Sequence, residues 1–187
     1  MKSLKVLLAT VLLGQTFLFA QLTPEVTIEK LHTGAVVVNL IYPQKTFDGL
    51  IKNGRKEDAL ALDAKTKAEH KDLIEAFKYS FTFCRVFFVS SNDLGALANG
   101  DFTVLRDIDN KPATQMPPFY IFAEMGISPN RGMEGLLARF DNRDYISKPF
   151  PFFVKSFTFF HLKRKPKSDL VKEWDELLTA YHRRVSK

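Results

Sequence analysis

Two apolar runs flank a long helical pattern, and that order constrains the fold more than any other feature of the chain. The first run, Ala35-Val36-Val37-Val38, lies within residues 26–42, which read as strand and stop at Pro43. The second covers residues 81–91 and centres on Val86-Phe87-Phe88-Val89. Four consecutive apolar residues leave no polar face, as expected of a strand covered on both sides. Between the runs, residues 45–52 read as a short helix broken at Asn53-Gly54, with Gly54 placed as the residue after a helix end. Residues 55–79 then carry Ala59, Leu60, Leu62, Ala68, Leu73, Ile74, Ala76 and Phe77 on one stripe, with no internal Pro or Gly. Strand, helix and strand in this order imply a parallel pair joined by a crossover.

After Gly100 the pattern shortens. Residues 102–106 and 118–125 read as strands, residues 107–112 as a turn-rich loop, and residues 135–140 and 145–146 as strands flanking the turn Asp141-Asn142-Arg143-Asp144. Residues 152–160 alternate as a further strand. Ser168 is placed to cap a closing helix over residues 169–184, where Leu170, Val171, Trp174, Leu177, Leu178 and Tyr181 recur at spacings suited to docking on a sheet. The expected architecture is one α/β domain with α+β character in its second half. It holds a mixed sheet of about five to seven strands against the long helix and the C-terminal helix.

Residues 1–20 are read apart from this domain, which is assigned to residues 21–187. Met1-Lys2-Ser3-Leu4-Lys5 is a basic start, and an uncharged apolar stretch extends from there as far as Ala20, the layout of a secretory signal peptide. A bilayer-spanning helix needs about 20 apolar residues. This run is shorter and is interrupted by Thr10, Gly14, Gln15 and Thr16, so a permanent span is not expected. Cleavage after Ala20 or after Thr16 both fit, and the location implied is periplasmic or secreted. Losing Lys2 and Lys5 lowers the net charge from +6 to +4. The remaining excess gathers late, at Lys163, Arg164, Lys165 and Lys167 and again at Arg183, Arg184 and Lys187. Such a cluster reads as a solvated turn and helix end, and export argues against nucleic acid as its partner.

Phe83-Cys84-x-Val86-x-Phe88 following a Lys/Glu-rich helix, and then Lys148-Pro149-Phe150-Pro151-Phe152-Phe153-Val154, resemble a group of small exported bacterial proteins of unknown function. The resemblance covers most of the chain beyond the leader. It implies a shared fold and export, and no activity.

Candidate sites emerge from the residue types. The turn Ser90-Ser91-Asn92-Asp93 closes an apolar strand and precedes a short helix over residues 94–98, the position at which open α/β sheets place ligands. Ordinary helix capping uses the same residues. Serine hydrolysis would need Ser90 or Ser91 beside His161 and Asp141 or Asp144, but no G-x-S-x-G elbow surrounds either serine. His32, His70, His161 and His182 show no metal-ligand spacing, so neither a metal nor a cofactor is expected. His70 sits in a polar stretch and reads as a surface residue. Glu124 with Asp141 forms a conceivable carboxylate pair. Cys84, the sole cysteine, excludes an internal disulfide and reads as a buried, inert thiol. Pro117-Pro118-Phe119-Tyr120 and the rings of residues 150–160 belong either to a Phe-rich core or to an exposed patch for a partner protein or glycan.

These features favour a non-catalytic extracytoplasmic binding or interaction domain over the alternative, a hydrolase acting on envelope glycan, peptide or ester. Its ligand and partner are unknown from sequence, with an envelope component or another protein the kind of partner expected. Protein taken from an extracytoplasmic fraction should begin at Gln21 or Phe17 on N-terminal sequencing. Recovery of the chain with Met1 intact in the cytosol or membrane would contradict export.

Overall fold

The computed structural model describes residues 22–129, 132–140, 144, 146–157 and 163–187. Five described strands form one mixed sheet: β1 (Ala35–Leu40), β2 (Arg85–Ser90), β3 (Tyr120–Ile127), β4 (Glu134–Arg139) and β5 (Phe153–Lys155), in the order β2-β1-β3-β4-β5. β1 lies parallel to both β2 and β3, with Val36 opposite Val86 on one side and Ile121 on the other. β3, β4 and β5 continue as antiparallel neighbours. The described helices are α1 (Pro24–Thr33), α2 (Gln44–Lys52), α3 (Lys56–Ser80), α4 (Leu94–Ala98) and α5 (Lys167–Val185).

Ala35, Val36, Val37 and Val38 have no exposed surface. Val36 and Val38 face a large core built from Ile28 and Leu31 of α1, Phe77 of α3, and Leu170, Trp174 and Leu178 of α5. Val37 faces a smaller core with Val89, Phe122, Leu97 and Leu105. α4, two 3₁₀ turns and the loop after them cover this second face. The Trp174 indole, buried against Phe77 and Phe81, donates its Nε1–H to the Pro151 carbonyl at 2.7 Å. Burial of each such side chain contributes about 1.5–3 kcal/mol.

Several expectations are corrected. Residues 26–33 are helical, because the Thr23 hydroxyl caps the Val26 N–H, Pro24 occupies the first turn and Ile28 and Leu31 meet the core on one face. The β-branched Val26-Thr27-Ile28 pulls the sequence reading toward strand, and packing overrides that preference. Residues 81–84 precede β2: the Asp175 carboxylate of α5 accepts the backbone N–H groups of Thr82 and Phe83 at 2.7 and 2.8 Å, removing them from the ladder. Phe102–Val104 is a 3₁₀ turn capped by Asp101, leaving only Arg106 to bridge Phe88.

β2 lies at a sheet edge, although both of its faces are covered. It is apolar on alternate sides because both faces are covered, and Arg106 masks part of its open edge through two backbone bonds with Phe88. The last strand is short, Phe153–Lys155, with Phe157 bridging Arg164. Ile146 is buried outside any strand. The α5 helix starts at Lys167 after Pro166, so Ser168 lies inside its first turn and does not cap it. The expected turn at residues 141–143, Tyr145 and residues 158–160 lie outside the described residues.

Gly54 has φ +72° at the end of α2, as a left-handed helix terminus requires. Gly34 is needed for a different reason: a Cβ there would lie 2.4 Å from the Phe119 carbonyl oxygen, where α1 meets the sheet. Gly34→Ala should therefore cost about 1–3 kcal/mol or more. Gly49→Ala, within α2 where a Cβ meets nothing within 4 Å, should stabilise by about 0.5–1 kcal/mol. Urea denaturation of both variants checks the pair, and equal effects would contradict the packing described.

Candidate functional site

The chain leaving β1 rises into the helical layer over the large core, whereas the chain leaving β2 enters the layer on the opposite face. β3 then returns on the other side of β1. The strand order therefore reverses at β1 and β3, and the carboxyl ends of such a pair are the general ligand position of these sheets. A cleft of about 690 Å³ occupies that place.

Leu40 of β1, Met125 and Ile127 of β3, and Leu62 and Leu73 of α3 supply its apolar lining. Its ionisable rim comprises Lys65 and Glu69 of α3, Glu134 at the start of β4, Arg164, and Lys167 at the start of α5. Arg164 pairs with Glu134, and Lys65 stands 4.0 Å from Glu69. The half-buried Lys167 ammonium makes no hydrogen bond or ion pair with another described residue. Burial, and then the nearby Arg164 charge, hold its pKa below that of an ordinary lysine, while Glu134, Glu69 and Asp72 oppose the shift.

Internal bonds hold the loop after β1 at the cleft mouth. His70 is half-buried in the cleft wall, where its Nε2 donates to the Ile41 carbonyl at 3.0 Å, so it is not the free surface histidine expected. The Tyr42 hydroxyl donates to Asp63 at 3.0 Å. Hydrogen bonds from Lys67 and then Tyr42 lower the Asp63 pKa. Burial, followed by Asp63, raises that of Tyr42.

The four residues singled out in sequence divide between two jobs. Ser91 Oγ accepts the Tyr42 N–H at 2.9 Å, and Asn92 Nδ2 donates to Gln44 Oε1 at 3.3 Å, so both tie the exit of β2 to the exit of β1. Ser90 Oγ accepts the Asn92 N–H at 3.3 Å. Ser90 and Asp93 border a separate groove of about 590 Å³ beside Arg106 and Asp107. None of the four lines the larger cleft. They open a 3₁₀ turn, Ser91–Asp93, that runs into the five-residue α4.

On the other face of the sheet, Glu124 accepts from Asn39 at 2.7 Å and from Arg139 Nε and Nη2 at 3.1 and 3.2 Å. The Arg139 guanidinium also lies 5.0 Å from the Phe122 ring centroid. This clamp joins β1, β3 and β4 and commits the Glu124 carboxylate, while Asp141 lies outside the described residues. Asn39 Oδ1 has no partner within the described residues.

His161 also lies outside the described residues. His32 and His182 stack at 4.2 Å between α1 and α5, with His182 3.4 Å from Glu29. Among the described residues there is no group of three side chains suited to a metal ion, and no described helix is long and apolar enough to cross a membrane. Every described Phe is buried or half-buried, which favours the ring-rich core over an exposed aromatic patch.

The basic segment before α5 is less solvated than its composition suggests: Arg164 pairs with Glu134, Lys165 with Glu173, and Lys167 turns into the cleft wall. Sequence reasoning missed this cleft because its residues come from distant segments. The available signal was the neighbourhood of β1 and β3, whose residues Leu40 and Met125 line the cleft, and it needs the strand order. No family model, curated protein or solved structure matches the chain.

Burial pushes the Cys84 thiol up to about 12, against the opposing backbone hydrogen bond with Val36 and the smaller influence of Arg85. Iodoacetamide at mildly alkaline pH should alkylate the native protein about a hundredfold or more slowly than the urea-unfolded chain. Equal rates would show a reactive thiol.

Proposed function

We propose that this chain is a non-catalytic extracytoplasmic binding domain whose ligand occupies the cleft at the carboxyl ends of β1 and β3. The observation that carries the reading is the cleft itself: about 690 Å³ at the strand-order switch, within the range of about 300–1,000 Å³ usual for small-molecule sites. The apolar lining with a few charges at the rim supports binding of a small molecule. The serine hydroxyls favour binding over hydrolysis, because Ser90 and Ser91 each accept a backbone N–H and neither bonds a described histidine. The extracytoplasmic part of the reading rests on residues 1–20 alone.

A thermal-shift screen of small envelope metabolites tests this directly. A ligand at about 100 times its Kd adds about 2.7 kcal/mol, which raises Tm by roughly 5–10 °C in a domain of this size. The half-buried Leu62 forms part of the cleft wall, so Leu62→Trp should abolish the shift while leaving the far-UV circular dichroism unchanged. A ligand whose shift survives in Leu62→Trp, or turnover of an ester, peptide or glycan, would overturn the reading.

A further inference from the structure

We propose that the cleft takes an aliphatic monocarboxylate, its chain along Leu40, Leu62, Leu73 and Met125 and its carboxylate at Lys167; this rests on the binding function assigned above. The charge balance of the lining selects a monoanion. Among the described lining residues, Lys65, Arg164 and Lys167 face Glu69 and Glu134, an excess of one positive charge. Arg164 is joined to Glu134, and Lys65 stands near Glu69, which leaves the Lys167 ammonium as the cation without a direct partner among the described lining residues. A desolvated ammonium near another cation is costly, and a carboxylate would relieve it through a charge-assisted hydrogen bond. A phosphate dianion would overcompensate the single excess charge and meet Glu69 and Glu134 at close range.

The rest of the lining selects an alkyl chain. Leu40, Leu62, Leu73, Met125 and Ile127 are flexible aliphatic side chains, and Phe157 is the one aromatic ring among the described lining residues besides the His70 imidazole. Sugars are gripped by ring faces and by many polar groups, whereas this surface offers methyl and methylene groups with charge at its rim.

The test is isothermal titration calorimetry of the full chain with sodium decanoate, decanol and decyltrimethylammonium. Decanoate should bind at least about tenfold more tightly than decanol, and the cation should bind least. Lys167→Met keeps an apolar stem and should bring decanoate down to the level of decanol without weakening decanol. Lys167→Arg should preserve the preference. Wild-type affinity for decanoate should fall with rising pH as Lys167 loses its proton, while that of Lys167→Arg should hold. Circular dichroism checks the fold of each variant, and Lys167→Gln serves as a second neutral variant if Lys167→Met fails to fold. Equal affinity of decanoate and decanol, or a decanoate preference that survives Lys167→Met or Lys167→Gln, would overturn the proposal and leave the binding function standing. The same holds if another chemical class binds with Leu62→Trp sensitivity while decanoate does not. If no compound of any class binds in the cleft, the binding function falls as well.

Discussion

The strand β1 is the element on which the rest of the structure depends. Its four residues Ala35 to Val38 are fully buried, and both of its edges are paired, to β2 and to β3. A strand without a polar face must be covered twice, so the remainder of the chain has to supply a layer on each side of it. The long α3, with α1 and α5, covers one side with a large core. Among the described residues, the other side receives the five-residue α4, two 3₁₀ turns and a loop, which pack Leu97, Leu105 and Ala113 on Val37, Val89 and Phe122.

This asymmetry locates the cleft. The exits of β1 and β2 diverge to opposite layers, and β3 lies beside β1 in parallel, so the carboxyl ends of β1 and β3 lie side by side. The clamp of Asn39, Glu124 and Arg139 lies near this end, on the thinly covered face. A buried ion pair of this sort is weak evidence of stability, but breaking one partner leaves an uncompensated charge, so it specifies which strands sit together. Asn39 can bond Glu124 only when β3 is next to β1, and Arg139 only when β4 follows β3.

The elements set by local chemistry were legible in the chain. The long helix, the stop at Gly54, the short helix before it and the closing helix follow from periodicity and terminal residues, each within two residues of its observed bounds. The expectations that failed depended on distant partners. Val26-Thr27-Ile28 is locally as good a strand as Val36-Val37-Val38, and it became helix because Pro24 and Thr23 start one and the core accepts Ile28 and Leu31. Phe83 reads as strand until Asp175, in the last helix, takes its N–H. The place of β2 at the edge was hidden for a related reason: apolar faces report coverage above and below, and carry no information about neighbours in the plane of the sheet. For the site, the rule that ligands lie beyond strand carboxyl ends, applied without the strand order, led to β2 and the Ser90–Asp93 turn, whereas the larger cleft opens beyond β1 and β3.

The polar groups around that end of the sheet separate by how fully they are satisfied. Ser91 with Tyr42, Asn92 with Gln44, His70 with Ile41 and Tyr42 with Asp63 close on one another and hold the loops after β1 and β2 against α3. Groups committed in this way make a rigid rim and have little capacity left for a ligand. The cleft walls include α3 and the ends of β1 and β3, both held by the packed core. A preformed site of this kind avoids the ordering cost that a flexible one incurs on binding. Selectivity must then come from the few groups that the fold leaves incompletely compensated. Among the described charged groups of the cleft, that one is Lys167, which Pro166, at the start of α5, sets beside Glu69 and Asp72 of α3. The neighbouring cations found acidic partners, and this one faces a chamber lined by leucine and methionine.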